Sequence, residues 1–170
     1  MIARTFLSLA LLMLVANPLS ALEATAKQPA FKVTDYPPEI RKALSYAPEE
    51  CKRQGDGEGE VTFAPDTVRK VDLNGDGRDD YVVSFQETKC SRYLAAFCGT
   101  AGCDMDFFVT LPNGKLRNVF TSRIRGYEVL SDSIVRFELH GSYCGRSGNP
   151  SCLKERKITG KPFVFKEPRS

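Results

Sequence analysis

The chain has little excess charge of either sign, and it has one histidine. Its 24 lysine and arginine residues against 21 acidic residues give a formal net charge of +3, too weak to indicate binding to nucleic acid or to an anionic membrane. It also lacks a phosphate-binding loop, because the glycine-rich stretch at 55–59 is acidic and has no P-loop lysine. A single histidine leaves few options for zinc coordination or acid–base catalysis. Composition therefore does not support a nucleotide-binding or nucleic-acid-binding protein.

One long apolar run is present, and it lies at the N-terminus. Arg4 precedes an uncharged apolar stretch at 5–16, which is followed by a helix-breaking Asn-Pro pair and small residues. This order is typical of a secretory signal peptide, and the stretch is short for a membrane span, which needs about 20 apolar residues. We predict a signal peptide at 1–21, with cleavage after Ala21 or alternatively at 24–26; an uncleaved anchor is the other interpretation. The mature chain is then expected in the periplasm or outside the cell.

Six cysteines lie in the predicted mature chain, and their even number indicates disulfides in an oxidising compartment. They are Cys51, Cys90, Cys98, Cys103, Cys144 and Cys152. Two neighbouring pairs, at 98–103 and 144–152, enclose stretches of turn composition, so each is expected to close as a local bridge. The two remaining cysteines would then form a long-range bridge. A zinc site at 98–103 is the alternative, but the usual C-x2-C spacing is missing.

Helix signals come first along the mature chain. Pro37-Pro38 begins an apolar stripe with i, i+3, i+4 spacing, which predicts a short helix. Pro48 starts a second short helix, which ends at Gly55. Cys51 lies on this second helix, so its disulfide is expected to attach the helix to the sheet.

Strand signals follow from residue 60 onward. Alternating apolar residues indicate strands at 81–85, 107–111, 135–139 and 163–165, and an Asn-Gly turn precedes a returning strand at 116–120. No strand alternates regularly with a helix, which argues against a parallel, doubly wound fold. We predict an α+β fold, mostly antiparallel sheet with a short N-terminal helical segment. It forms a single disulfide-stabilised domain at 35–170, preceded by a flexible segment at 22–34.

The most specific motif is the sequence DLNGDGRDD at 72–80. Side chains with oxygen atoms occupy loop positions 1, 3, 5 and 9, and a glycine occupies position 6, where a sharp turn is needed. A hard cation such as Ca²⁺ prefers about six to eight oxygen ligands. The expected ligands are Asp72, Asn74, Asp76, the carbonyl of Arg78, and Asp80. The alternative is an acidic turn that caps a hairpin without a metal.

This loop resembles the D-x-[DN]-x-D-G-x-x-D calcium loops of FG-GAP and VCBS-type repeats, and the first part of EF-hand and dockerin loops. The EF-hand match ends at position 12, where Val83 stands in place of a bidentate glutamate. The FG-GAP resemblance implies that the loop lies between two strands. We expect the calcium to have a structural role. With one such loop, the chain is too small for a propeller.

The mature chain also resembles a group of small exported proteins of Gram-negative bacteria. The shared features are the aspartate loop, the Cys-Gly-x-x-Gly-Cys element at 98–103, and a His-Gly element followed by Cys-Gly and Cys at 140–152. This resemblance implies export and the two local disulfides. It implies no activity.

Few residues are candidates for chemistry, and we name none as catalytic. His140 lies on the outer face of a predicted strand, with no partner evident from the sequence. Asp104 and Asp106 would face the same side of an extended segment, either as a carboxylate pair or as a solubilising strand start. The loop at 144–152 follows Tyr143 and contains Arg146, residue types that are enriched at binding hot spots.

The sequence therefore predicts an exported, calcium-binding interaction module without enzymatic activity. Its partner is expected to be a protein or an envelope component, and inhibitor-like and virulence-associated versions both remain open. We expect no nucleic-acid partner and no membrane span in the mature chain. The alternative is a small calcium-dependent hydrolase that uses the carboxylates of 72–80 together with His140.

Overall fold

The computed structural model describes residues 31–130, 133–147 and 150–166, so the predicted signal peptide lies outside the described residues. The helices are α1 (Pro38–Leu44) and α2 (Tyr46–Gln54), and 3-10 turns cover Val33–Asp35 and Gly141–Cys144. The strands are β1 (Val61–Thr62), β2 (Val68–Val71), β3 (Asp80–Ser84), β4 (Lys89–Cys90), β5 (Cys98–Gly99), β6 (Gly102–Thr110), β7 (Leu116–Ile124), β8 (Gly126–Val129), β9 (Ile134–His140) and β10 (Ser151–Lys157). None of the described helices has the length and apolar character needed to cross a membrane.

The strands form antiparallel sheets, which confirms the predicted α+β class. In the central sheet the order is β2-β3-β6-β5, and β7 pairs with β6. The second sheet has the order β10-β9-β8, and β1 pairs with β4 in a short ribbon. A β-bulge in the β6–β7 pairing leaves Val119 opposite no partner, between the pairs formed by Asn118 and Phe120. Val119 and Phe120 are therefore both buried in one core although they are adjacent in sequence.

Each face of the central sheet covers a hydrophobic core. On β6, Phe107 and Val109 belong to the core shared with the second sheet, and Phe108 belongs to the core beneath the helices. This arrangement follows from the alternation of side chains along a strand. The helices close the second core with Ile40 and Leu44, which are both fully buried. The central sheet is thus packed on both faces.

The helices begin and end at proline and glycine, much as the sequence predicts. Helix α1 begins at Pro38, and α2 begins at Tyr46, two residues earlier than predicted. Pro48 is consequently in the first turn of α2. Backbone N–H groups in the first turn have no acceptor within the helix, so the missing N–H of a proline there costs little. Gly55 follows the last turn, and its N–H bonds to the carbonyl oxygen of Cys51 at 3.0 Å.

The three predicted disulfides are confirmed. Cys51–Cys90 attaches α2 to β4, Cys98–Cys103 closes the β5–β6 hairpin, and Cys144–Cys152 attaches a 3-10 turn to β10. All six cysteines are therefore oxidised. This removes the alternative of a zinc site at 98–103, because a disulfide sulfur is not a thiolate ligand.

The prediction of a last strand at 163–165 is wrong, and the last strand among the described residues is β10, residues 151–157. Phe163 and Phe165 nevertheless pack on the core, with ring centroids 4.7 Å and 5.5 Å from that of Phe120. They belong to an irregular segment that covers the edge of the core, and the N–H of Phe163 bonds to the carbonyl of Val119 at 2.9 Å. The alternation of apolar residues at 163–165 does not by itself distinguish a strand from an irregular segment that packs on the core.

The segment predicted to be flexible, 22–34, lies mostly outside the described residues, but its last part is folded. The ring of Phe31 lies 5.3 Å from that of Tyr36 and 5.1 Å from that of Phe63, measured between centroids. Phe31 and Val33 therefore pack against the domain, although they lie within the segment predicted to be flexible.

Candidate functional site

The aspartate loop, residues 72–80, joins β2 to β3 and folds its backbone around its first carboxylate. Oδ1 of Asp72 accepts hydrogen bonds from the N–H groups of Gly75 at 2.7 Å and Asp76 at 3.2 Å, and Oδ2 accepts one from Gly77 at 2.9 Å. Both glycines have positive φ, 73° and 78°, which only glycine adopts without steric cost. Burial acts to raise the pKa of Asp72, but the hydrogen bonds from these amides act more strongly in the opposite direction. The pKa of Asp72 is therefore below its ordinary value.

The next predicted ligands bond to one another at the exposed tip of the loop. Oδ1 of Asp76 accepts from the N–H of Arg78 at 2.9 Å, and Oδ2 accepts from Nδ2 of Asn74 at 3.0 Å. Oδ1 of Asn74 in turn accepts from the N–H of Asp76 at 3.0 Å. Nη1 of Arg78 also contacts Oδ2 of Asp76, at 3.3 Å. The tip is therefore ordered by its own hydrogen bonds.

Asp80, the last predicted ligand, is fully buried and holds the loop onto the central sheet. Oδ2 accepts a hydrogen bond from the N–H of Leu73 at 2.9 Å, and Oδ1 accepts one from the N–H of Thr110 at 2.7 Å. These bonds join the start of the loop to the end of β6. Burial raises the pKa of Asp80 above its ordinary value, although the two amides act in the opposite direction.

The aspartate loop also contacts the second sheet. The hydroxyl of Ser133, just before β9, donates a hydrogen bond to the carbonyl oxygen of Asn74, and the carbonyl of Ser133 accepts one from the N–H of Ile158 at 2.8 Å. A Cβ atom added at Gly75 would lie 2.9 Å from the Ser133 hydroxyl, so this position has no room for a larger residue. The loop therefore connects both sheets at one end of the domain.

The donor chemistry of this loop fits a hard cation, but its carboxylates are not gathered around one point. A carboxylate has about four lone-pair positions, and the protein's own donors occupy three on Asp72, three on Asp76 and two on Asp80. Within 31–130, 133–147 and 150–166, no three acidic, histidine or cysteine side chains are grouped so that they could hold a metal ion. Calcium binding at the predicted ligands stays a prediction.

His140 lies far from the aspartate loop. It is the last residue of β9, whereas Ser133, which contacts the loop, precedes the first residue of that strand. Seven residues of extended chain span roughly 23 Å. Nδ1 of His140 instead accepts the N–H of Ser142 at 3.3 Å and lies 3.0 Å from its hydroxyl, so the imidazole caps a 3-10 turn. The separation argues against a hydrolase that combines the loop carboxylates with His140.

The two residues predicted to bind a partner have different surroundings. Tyr143 is half-buried and packs against the core between the sheets, which leaves little of its ring for a partner. Arg146 is exposed, and its Nη1 donates to the carbonyl oxygen of Ser151 at 3.3 Å, across the loop closed by Cys144 and Cys152. The geometry therefore offers Arg146 to a partner more readily than Tyr143.

Leu94 is the most exposed large apolar side chain in the described part of the chain, and it lies in a loop that sequence reasoning did not single out, residues 91–97 between β4 and β5. Leu94 is 86% exposed and Tyr93 is 45% exposed, whereas Ala96 and Phe97 of the same loop are buried. The N–H of Ala96 bonds to the carbonyl of Tyr93 at 3.2 Å, which forms a turn with Leu94 at its corner. Isolated exposed apolar residues are common on protein surfaces, so Leu94 is a candidate contact residue because Tyr93 is exposed beside it and the loop that carries them is restrained.

Disulfides fix both ends of the 91–97 loop. Cys90, just before it, is bonded to Cys51, and Cys98, just after it, is bonded to Cys103. Next to the first bridge, Ser91 exchanges two hydrogen bonds of 3.0 Å with Glu60. The sequence signal that could have located this loop is its pair of flanking cysteines, although cysteine positions do not show which apolar residues of the loop face solvent.

The comparisons with known proteins add no functional assignment for these features. Comparisons with protein-family models, with curated proteins and with solved structures give no match to this chain. The aspartate loop and the 91–97 loop are therefore interpreted from their own geometry and chemistry.

Proposed function

We propose that the protein is an exported interaction module that binds a partner protein through the 91–97 loop. The observation that carries this proposal is the pairing of exposure and restraint. Leu94 and Tyr93 extend into solvent from a turn whose two ends are held by disulfides. Leu94 is exposed although the exposure of an apolar side chain to water costs free energy, whereas Ala96 and Phe97 of the same loop are buried in the core.

The restraint of the 91–97 loop favours binding because little conformational entropy remains to be lost. Phe97 anchors the inner side of the loop, with its ring centroid 5.6 Å from that of Phe85. The guanidinium of Arg92 forms an ion pair with Glu58 at the base of the loop. A preorganised loop avoids a cost of about 0.5–1.5 kcal/mol for each side chain that would otherwise be ordered on binding.

The size of the apolar tip indicates a concave pocket on a protein. Burying a leucine side chain contributes about 1.5–3 kcal/mol, so Leu94 alone accounts for roughly tenfold to a hundredfold in affinity. Tyr93 adds a ring of a type enriched at binding hot spots. Membrane attachment usually needs a much larger apolar face. We therefore commit to a protein partner.

Export supports this function and is itself part of the proposal. Three disulfides in a chain of this size are typical of an oxidising compartment, the periplasm or the extracellular medium. The predicted signal peptide at 1–21 and the resemblance to exported proteins of Gram-negative bacteria point the same way. The interaction would then take place in the envelope or outside the cell, without catalysis by the module.

Calcium is the second part of the proposal, with a structural role. Asp80 and Ser133 connect the aspartate loop to the two sheets, so an ion held by the loop would strengthen a junction of the fold. The lone pairs that remain on Asp72, Asp76 and Asp80 are the oxygen donors available to it. Such an ion would stabilise the domain without taking part in a reaction.

Site-specific photo-crosslinking tests the docking proposal. We place p-benzoylphenylalanine at position 94 and, as a matched control, at position 153, because Leu153 is also exposed (63%) but lies on β10. Each protein is incubated with envelope and culture-medium fractions of the source bacterium and irradiated. We expect a discrete adduct at position 94 that position 153 does not give. No adduct at position 94, or the same adducts at both positions, would contradict the proposal.

A further inference from the structure

A groove lies between the helices and the β6–β7 strands, on the face of the central sheet that the helices cover only in part. It contains a cavity of about 370 Å³ beside α1 and one of about 300 Å³ beside Tyr46 of α2. Asp106 lines both cavities. Volumes of this size are in the range of small-molecule sites. We call this feature the helix-side groove.

Asp104 and Asp106 both face the helix-side groove, as alternation along β6 predicts, but their surroundings differ. The carboxylate of Asp104 forms a bidentate ion pair with Arg123, with Nε–Oδ1 and Nη2–Oδ2 distances of 2.9 Å. The hydroxyl of Tyr46 also donates to Oδ2 of Asp104, at 3.4 Å. Asp104 is therefore neutralised by a neighbouring cation.

Asp106 has neutral hydrogen-bond donors instead of a cation. Its Oδ1 accepts hydrogen bonds from Nδ2 of Asn118 at 3.2 Å and from the hydroxyl of Thr121. Both donors use the same oxygen, and no described residue donates to Oδ2 of Asp106. The described part of the chain also contains no buried side-chain oxygen that lacks a hydrogen-bond partner. Oδ2 of Asp106 is therefore not fully buried, and because Asp106 lines both cavities a ligand in the groove can approach this oxygen.

The charge of Asp106 is not balanced within the groove. The charged residues that line the cavity beside α1 are the acidic Glu39 and Asp106 and the basic Lys42. Their formal charges sum to one negative charge. Burial raises the pKa of Asp106, and its bonds to Asn118 and Thr121 compensate only in part. A carboxylate in such a place gains from a cation that approaches Oδ2.

We propose that the helix-side groove binds a small organic cation, whose ammonium or amidinium group bonds to Oδ2 of Asp106. Ala43 and Phe108 line the same cavity and provide an apolar surface for the carbon skeleton of the ligand. The bond is charge-assisted and lies in a partly desolvated place, where it is stronger than in water. No residue of the 91–97 loop lines this site, so the proposal does not rest on protein docking.

Benzylamine and benzyl alcohol test the site, because the two probes have the same ring and differ in charge at neutral pH. Binding of each probe to the mature protein is followed by NMR shifts of backbone amides. We expect benzylamine to give saturable shifts confined to 39–46, 104–108 and 118–123, and to bind at least about tenfold more tightly than benzyl alcohol. This comparison uses the unmodified protein, so it does not depend on the folding of any variant.

Two variants locate the effect at Asp106. Asp106→Asn keeps an oxygen acceptor for Asn118 and Thr121 but carries no charge, and it should weaken benzylamine binding about tenfold with benzyl alcohol unaffected. Asp66→Asn removes an exposed carboxylate paired with Arg69 and should leave both probes unchanged. Equal affinity of the two probes, equal benzylamine binding by Asp106→Asn, or the absence of saturable shifts in the groove would overturn the proposal.

Discussion

Replacing Asp80 by alanine should destabilise the domain strongly, because two backbone N–H groups depend on its carboxylate. In the variant, the amides of Leu73 and Thr110 lose acceptors that now lie at 2.9 Å and 2.7 Å. A buried donor left without a partner costs about 1–3 kcal/mol, so the free energy of unfolding should fall by about 2–6 kcal/mol. Small domains have about 5–15 kcal/mol in total, so the effect is a large share of the stability.

Urea unfolding followed by circular dichroism measures this loss, with chelator present so that no calcium contributes. With a slope of about 2 kcal/mol/M, the midpoint should shift down by roughly 1–3 M. Asp80→Asn should give a smaller loss, because its amide oxygen replaces one acceptor while its NH₂ group faces the other N–H. Asp79→Asn is the control, since Asp79 is exposed and its ion pair with Lys70 at 3.1 Å should contribute less than about 1 kcal/mol. An Asp80→Ala midpoint equal to that of Asp79→Asn would refute the reasoning.

Two further predictions concern carboxylates. Calcium at a hundred times its dissociation constant should add about 2.7 kcal/mol and raise the melting temperature by about 5–10 °C, and Asp76→Ala should abolish this gain; identical melting curves with calcium and with chelator would reject the ion. The raised pKa of Asp106 means that the folded protein holds a proton more tightly than the unfolded chain. Stability should therefore fall as pH rises from the ordinary pKa of aspartate to the raised one. Relative to wild type, Asp106→Asn should gain stability as the pH rises through this window in urea unfolding, and a pH-independent difference would contradict this assignment.

Local sequence signals predicted the fold class, both helices, the paired cysteines and the strands β3, β6, β7 and β9, but not the short strands β1, β2, β4, β5 and β8. These features depend on residues that are close together in sequence. Proline and glycine set the helix ends, apolar alternation marks half-buried strands, and turn-forming residues lie between the neighbouring cysteines. The same signals missed β10, because only Cys152 is buried on that strand. Its inward positions instead carry Lys154 and Arg156, which lie over the rings of Phe165 and Phe163 at 5.9 Å and 5.2 Å. A hydrophobicity pattern does not register basic side chains that pack over aromatic rings.

The candidate sites were less predictable, because each depends on residues that are distant in sequence. Asp104 and Asp106 were expected on one side of a strand, but their different roles are set by Arg123 and Thr121 on β7. The exposure of Leu94 follows from the burial of its neighbours in the core beneath the helices. The aspartate loop was recognisable from its own spacing, whereas its attachment to Ser133 was not.

The most direct test of the proposed docking function is the affinity of the cross-linked partner for variants of the 91–97 loop. The isolated partner is titrated against wild type, Leu94→Ala and Leu153→Ala, each with an unchanged circular dichroism spectrum. Since Leu94 contributes about 1.5–3 kcal/mol when buried in a pocket, Leu94→Ala should weaken binding about tenfold to a hundredfold. Leu153→Ala should bind as wild type does. Equal dissociation constants for wild type and Leu94→Ala would contradict the account.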